Sequence, residues 1–284
     1  MNSISTSLGR NYIDLWKENM KEWDGTLSNR MINDEAEDAF WNAFLEKKQQ
    51  NGTVDTNAYA HIIREELLKL LHESDHVLEI GPGWGNYTFC VSEHVKQLTC
   101  VDISQSIIDF LKHKTEKMQL NNISFIHEKW EQLNIKQTCD VVFGINCYYR
   151  IRDIDKALLK MNQAASRLVI AGMTSGPEKP HYIDLHREHG YSIKFRRRDY
   201  IDLQNILYQL GIMANCRIIE IPRVSIYESF EALIRDNVSK ILTRDYNQQE
   251  VEQALSRYVV EKNGQYEYSY TIHAALLYWK PVNI

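Results

Sequence analysis

The sequence predicts an α/β protein built on a doubly wound, mostly parallel seven-stranded sheet, on three observations. Between about residues 57 and 221, short apolar runs alternate with stretches whose apolar residues recur every three or four positions. That is the pattern of strands alternating with crossover helices. One run, Val77-Leu-Glu-Ile80, ends in glycines at every second position, Gly81, Gly83 and Gly85. It reads as a buried parallel strand that stops in a tight turn and opens a helix. A last run, Tyr266 to Trp279, alternates over its whole length and supplies the final strand.

Residues 1–56 read as a helical segment ahead of this core. Tyr12, Trp16, Met20 and Trp23 recur at helical spacing, as do Phe40, Trp41, Phe44 and Leu45. Such an aromatic stripe packs on the main domain, and it can also close over a pocket. The polar run 47–56 reads as the loop that ends the segment. The core then spans 57–222. Tyr59, Ile63, Leu67 and Leu70 mark a helix leading into the glycine strand. Strands follow at 98–101, 123–127, 139–145, 167–173 and 216–221, with helices at 104–118, 153–166 and 199–210 between them. Ser225-Ile-Tyr-Glu228 has the form of a capping box, so 223–265 reads as a helical insertion with a second helix over 249–258. Residues 266–284 return to the core sheet.

A chain of 284 residues, 44% hydrophobic and 25% charged, has the composition of an ordinary globular protein with a large core. A formal net charge of -5 and a pI near 6.1 argue against a dedicated nucleic-acid binder. The expectation is therefore a small-molecule substrate and no nucleic-acid partner. The stretch MNSISTSLGRNY has no charged n-region and no apolar h-region, and no apolar run approaches a membrane span. A cytoplasmic protein with no membrane partner is expected. The five cysteines are odd in number and form no C-x-x-C pair, which suits reduced thiols rather than disulfides or zinc.

The nicotinamide and flavin fingerprint places glycines at the first, third and sixth positions, but here the sixth is Asn86. The G-x-G-x-G turn, with Glu79 inside the strand before it, resembles the first motif of class I S-adenosylmethionine-dependent methyltransferases. The resemblance covers about residues 57–279. It implies a Rossmann-like sheet whose last strand lies antiparallel between the fifth and sixth, and S-adenosyl-L-methionine as cofactor. It sets the backbone at Gly81, Gly83 and Gly85 against the methionine part of the cofactor, and Glu79 toward its amino end. Pro82 and Trp84 stand where small residues are common.

Further candidates end successive strands, where ligands of open α/β sheets bind. Asp102, followed by Ile103, closes the second strand at the spacing of a ribose-binding acid; its other reading is a cap for the helix near Ser104. After the third strand, relatives place an aspartate toward adenine. Lys129 stands there, which leaves Trp130 either as the adenine contact or as a buried tryptophan under a surface turn. Asn146 ends the fourth strand, toward the reactive part of the cofactor. Tyr148 and Tyr149 are candidates for the junction with substrate, one of them packing, and Tyr12 and Trp16 would reach it from the lid.

Methyl transfer from a sulfonium is an in-line displacement, in which positioning supplies much of the acceleration. No general base is assigned. His181, His186 and His189 read as a loop after the fifth strand; their spacing matches no metal signature, so no metal is expected. Arg196-Arg-Arg198 reads as a solvated helix start or as an attractor for an acidic group. The expected function is in-line methyl transfer to a small molecule in a covered pocket. The alternatives are a peptide or protein methyltransferase, and a non-catalytic member that binds the cofactor.

Overall fold

The computed structural model describes residues 9–50, 60–135, 137–175 and 178–283. Of the loop expected over 47–56, residues 47–50 are helical instead, and 51–56 lie outside the described residues, as does the helix residue Tyr59. The first segment folds as α1 (Tyr12–Glu18), α2 (Asn29–Ile32) and α3 (Asp34–Gln50). The sheet then grows through α4 (Ala60–Leu68), β1 (His76–Ile80), α5 (Thr88–His94), β2 (Gln97–Asp102), α6 (Gln105–Lys117), β3 (Ile123–His127) and β4 (Cys139–Ile145). It continues with α7 (Ile154–Ala164), β5 (Ala165–Ser175), α8 (Pro180–His189), α9 (Tyr200–Gln209) and β6 (Asn215–Tyr227). The last elements are α10 (Phe230–Asn237), α11 (Gln248–Ser256), β7 (Val259–Lys262) and β8 (Gln265–Trp279).

The strand order is β3-β2-β1-β4-β5-β8-β6, with β7 paired to β8 off that path. The four pairings β1–β2, β1–β4, β2–β3 and β4–β5 are parallel, and β8 takes the expected slot between β5 and β6. Chain order reverses at β1, which runs to β2 on one side and β4 on the other. That is the switch point where an open α/β sheet leaves a crevice.

Two compact units emerge. The first holds residues 1–173, 200–217 and 275–284. Its main core packs Leu78, Ile80, Val142, Val169, Leu158, Ile206 and Leu277 from the sheet and its helices, together with Trp16 and Met20 from the first segment. Trp16 is fully buried and donates its Nε1–H to the Ile151 carbonyl at 2.8 Å. The first segment is thus divided: α1 belongs to the core, and α3 lies with Trp84 and α6 in a second cluster around Leu45, Phe89, Ile107 and Leu111.

The second unit holds residues 174–199 and 218–274, with Tyr182, Leu185, Ile193, Leu233, Val251, Leu255 and Tyr268 inside it. The insertion expected at 223–265 therefore shares a core with a stretch read as part of the main domain. Two further readings are corrected in this unit. His181, His186 and His189 lie on α8, not on a loop, and His181 is fully buried between the Tyr268 hydroxyl at 2.7 Å and the Asn237 carbonyl at 3.0 Å. Burial lowers its pKa to about 4, so it is a neutral packing residue. Ser225 to Tyr227 extend β6, and the real cap is Ser229, whose hydroxyl accepts from the Ala232 N–H. The long last strand is one arm of a hairpin: Asn263-Gly264 turn β7 into β8, both at positive φ. Asn-Gly between two strands is the strongest short hairpin signal, and it stood in the sequence unread.

Candidate functional site

The cavity lies in the first unit, at the carboxyl ends of β1, β2, β3 and β4. Its volume is about 250 Å³, against roughly 10–15 Å³ for a single water on the same measure. It can hold an organic molecule.

The glycine turn forms one wall, and its glycines are needed for different reasons. All three have positive φ. A Cβ on Gly81 would lie 2.5 Å from that of Cys147, and one on Gly85 would overlap the Phe89 ring, whereas Gly83 has room and faces the cavity. Gly81 and Gly83 line it; Gly85 stands behind it. Backbone hydrogen bonds tie the strand ends together. The Gly81 N–H donates to the Val101 carbonyl at 2.9 Å, and the Glu128 N–H donates to the Asp102 carbonyl at 3.0 Å.

Glu79 is buried below the turn and does not line the cavity. Its carboxylate accepts from the Thr88 hydroxyl at 2.7 Å, and burial pushes its pKa up to about 7. Asp102 lines the cavity, with Ile103 beside it. Burial raises its pKa to about 6, against backbone N–H donors at Ser104, Gly83 and Ile103 that favour the charge. Ser104 caps α6 by accepting from the Ile107 N–H, while Asp102 Oδ1 accepts from the Ser104 N–H at 2.9 Å and still lines the cavity.

Trp130 is buried, donates to the Ala157 carbonyl at 3.2 Å and lines the cavity. Asn146 also lines the cavity, at φ 58. Asparagine tolerates the left-handed region better than most residues, and its N–H bonds to the Gly172 carbonyl at 2.9 Å.

Three of the expected substrate contacts are not on the wall. Trp16 is core. Tyr12 packs beside it and donates its backbone N–H to Gln209. Tyr148 is buried, with its hydroxyl on the Gly144 carbonyl at 2.8 Å. Each is turned inward because an aromatic side chain next to a parallel sheet is most stable in the core. Tyr149 does line the cavity.

A further part of the wall comes from α3 and escaped the sequence reading. Asp34, Glu37 and Trp41 face the cavity, and Asp38 reaches the loop after β2. Glu37 is 1% exposed and accepts from Trp41 Nε1 at 2.8 Å, Arg30 Nε at 2.8 Å and the Tyr149 hydroxyl. Burial works to raise its pKa, but the hydrogen bonds from Arg30 and Tyr149 outweigh it and hold Glu37 ionised. Asp38 accepts from the Ser104 hydroxyl at 2.5 Å and the Ser106 N–H at 2.9 Å. Asp34 pairs with Lys129 Nζ at 2.5 Å and Arg150 Nη2 at 2.8 Å. One helix face, at positions 34, 37 and 38, thus ties the loops after β2, β3 and β4. In sequence, Asp34-Glu-Ala-Glu-Asp38 looks like an ordinary acidic helix start, which is why it carried no signal.

Comparison with known proteins agrees with the fold and the turn. Residues 77–167 match the family model described as a methyltransferase domain. Over those residues the chain is similar to a methyltransferase domain. The first 26 matched residues, 77–102, run from β1 through β2, so the match covers the turn and Asp102. The ribosomal RNA small subunit methyltransferase A of Malacoplasma penetrans is 27% identical over 124 residues, 44% of this chain and 44% of that protein. An uncharacterized protein of Haemophilus influenzae is 26% identical over 188 residues, 63% of this chain and 66% of that protein. The chain spans less than half the length of the first curated relatives it matches. Among solved structures, an inferred methyltransferase from Bacillus halodurans C-125 superposes with a TM-score of 0.51 at 14% identity, over 77% of this chain and 99% of that one. At that identity the likeness is one of fold.

These relatives overturn the expectation of a small-molecule substrate without nucleic acid, because several of them are named for ribosomal RNA. The charge argument failed physically because net charge is a sum over the whole chain. It says nothing of where individual charges lie. No helix among the described residues is long and apolar enough to cross a membrane.

Proposed function

We propose that the protein transfers a methyl group from S-adenosylmethionine to RNA, with small-subunit ribosomal RNA the first acceptor to test. The observation that carries the cofactor half is the meeting of the glycine turn and Asp102 at the ends of adjacent strands, on one cavity. The acceptor half draws its support from the names of the curated relatives.

The residues present fit the cofactor. Asp102 is a desolvated carboxylate facing the cavity, suited to accept from two ribose hydroxyls, each charged hydrogen bond contributing ~1.5–3 kcal/mol. Gly83 offers bare backbone toward the methionine part. Ile103 and Trp130 give apolar surface for adenine, and Asn146 stands at the reacting end. Glu79 acts from behind, fixing the turn through Thr88. The cofactor supplies an electrophilic methyl group on a sulfonium. Carboxylates at 34, 37, 102, 128 and 131 against cations at 129 and 150 leave the wall acidic, which favours that positive centre. The protein's own contribution is alignment and exclusion of water, with α3 as the roof. The reaction belongs in the cytoplasm, where both reactants are found.

The test is transfer of labelled methyl from S-adenosylmethionine to unmodified small-subunit ribosomal RNA made by transcription, with a peptide library in parallel. Label in the RNA is the expected result. Label in peptide alone would replace the acceptor, and cofactor binding without label in either would make this a non-catalytic member.

A further inference from the structure

Arg150 lines the cavity with 12% of its side chain exposed, and two of its nitrogens, Nε and Nη1, are buried without a hydrogen-bond partner among the described residues. Its Nη2 bonds to Asp34 at 2.8 Å, and the same carboxylate takes Lys129 Nζ at 2.5 Å. A single acid from α3 therefore stands between two cations that arrive from different loops. Two positive charges face one negative. Asp34 is 46% exposed, so it sits at the rim and can turn into solvent. A buried donor left unsatisfied is costly, and more so when charged. This arrangement favours an oxyanion with more acceptor positions than one carboxylate.

We infer that Lys129 and Arg150 form a phosphate subsite at the cavity mouth, which Asp34 fills until a backbone phosphate of the acceptor strand displaces it. This rests on the RNA reading above. The chemistry suits each partner. A guanidinium grips phosphate oxygens through several N–H groups, and an ammonium holds them as a point charge. Phosphate contacts position a strand without reading its sequence, which is what a transfer reaction needs next to its target base. Glu128 and Glu131 also line this side. They keep the subsite from attracting anions at large, so a phosphate there must be delivered by a strand bound elsewhere as well.

The experiment measures binding of transcribed, unmodified small-subunit ribosomal RNA over a range of salt concentrations, for the wild type, Asp34→Asn, Lys129→Gln and Arg150→Gln. Calorimetry with S-adenosylhomocysteine and a melting curve accompany each variant. Asp34→Asn keeps the size and removes the competing charge, so it should bind RNA roughly threefold more tightly or better. Misfolding cannot mimic a gain. Lys129→Gln and Arg150→Gln should each weaken binding and reduce the slope of log affinity against log salt by about 1. Unchanged or weaker binding by Asp34→Asn, or unchanged slopes in the other two, overturns the subsite while leaving the RNA reading intact. A wild type that neither binds nor methylates the RNA overturns the RNA reading itself.

Discussion

Asp102 and Glu79 sit at neighbouring strand ends, and both are acids that burial has made reluctant to ionise. Their pKa values of about 6 and about 7 lie above the ordinary values of 3.8 and 4.5. The native state thus holds these protons more tightly than the unfolded chain does. Their contribution to stability is full at low pH and is lost as pH rises through about 4 to about 7. His181 acts in the opposite direction, since its lowered pKa makes the unfolded chain bind more protons between about 4 and 6.5. The two trends overlap, so the informative measurement is a difference. Denaturant midpoints from pH 4 to 8 should show wild type losing stability relative to Glu79→Gln as pH rises; parallel curves would mean Glu79 does not titrate in that window. Asp102→Ala removes the charged acceptor from the wall, and S-adenosylhomocysteine affinity should fall by ~1–3 kcal/mol. Calorimetry reads it directly, and an unchanged affinity would leave Asp102 as a strand-end charge.

At the scale of elements, the amino-terminal segment does two jobs. Trp16 fills the main core, so Trp16→Ala should cost ~3–5 kcal/mol and lower the melting temperature without touching the cavity wall. Trp41 lies on the wall and holds Glu37 at 2.8 Å. Trp41→Ala should cost less stability but weaken cofactor binding by several-fold. Measured together, the two variants separate core from roof; matched losses in both readouts would merge them. Removing residues 1–50 would take Trp16 and Met20 from the core, so loss of folded protein is the expected outcome, not an open site. The aromatic stripe was legible because periodicity reports burial. Which of its members faced a cavity was not, because Tyr12, Trp16 and Trp41 look alike in sequence. The alternating strands, the glycine turn and Asp102 were legible for a stronger reason. Strand ends in a parallel sheet converge by topology, so residues far apart in sequence are placed together before any packing detail is known. The hairpin at Asn263-Gly264 was missed although its turn chemistry was present, and the α8 histidines were misread because a polar stretch can be the outer face of a helix.

At the scale of the whole molecule, the chain divides into two compact units, and the cavity residues all belong to the first. A ligand that binds only the native state stabilises what it binds by RT ln(1 + [L]/Kd), which is ~2.7 kcal/mol at a hundredfold excess over Kd. For a unit of this size, roughly 2–4 °C of melting temperature accompanies each kcal/mol. Saturating S-adenosylhomocysteine should therefore raise a melting transition by roughly 5–10 °C. Differential scanning calorimetry then distinguishes two cases. If the units unfold together, a single transition moves as a whole. If they unfold independently, only the transition of the first unit moves, and the one that reports Tyr182, Leu233 and Tyr268 stays in place. Tryptophan emission identifies the first unit, because Trp16, Trp84, Trp130 and Trp279 are all buried there. A shift confined to a transition silent in that emission would put the ligand in the second unit and would remove the cavity described here from consideration as the cofactor site.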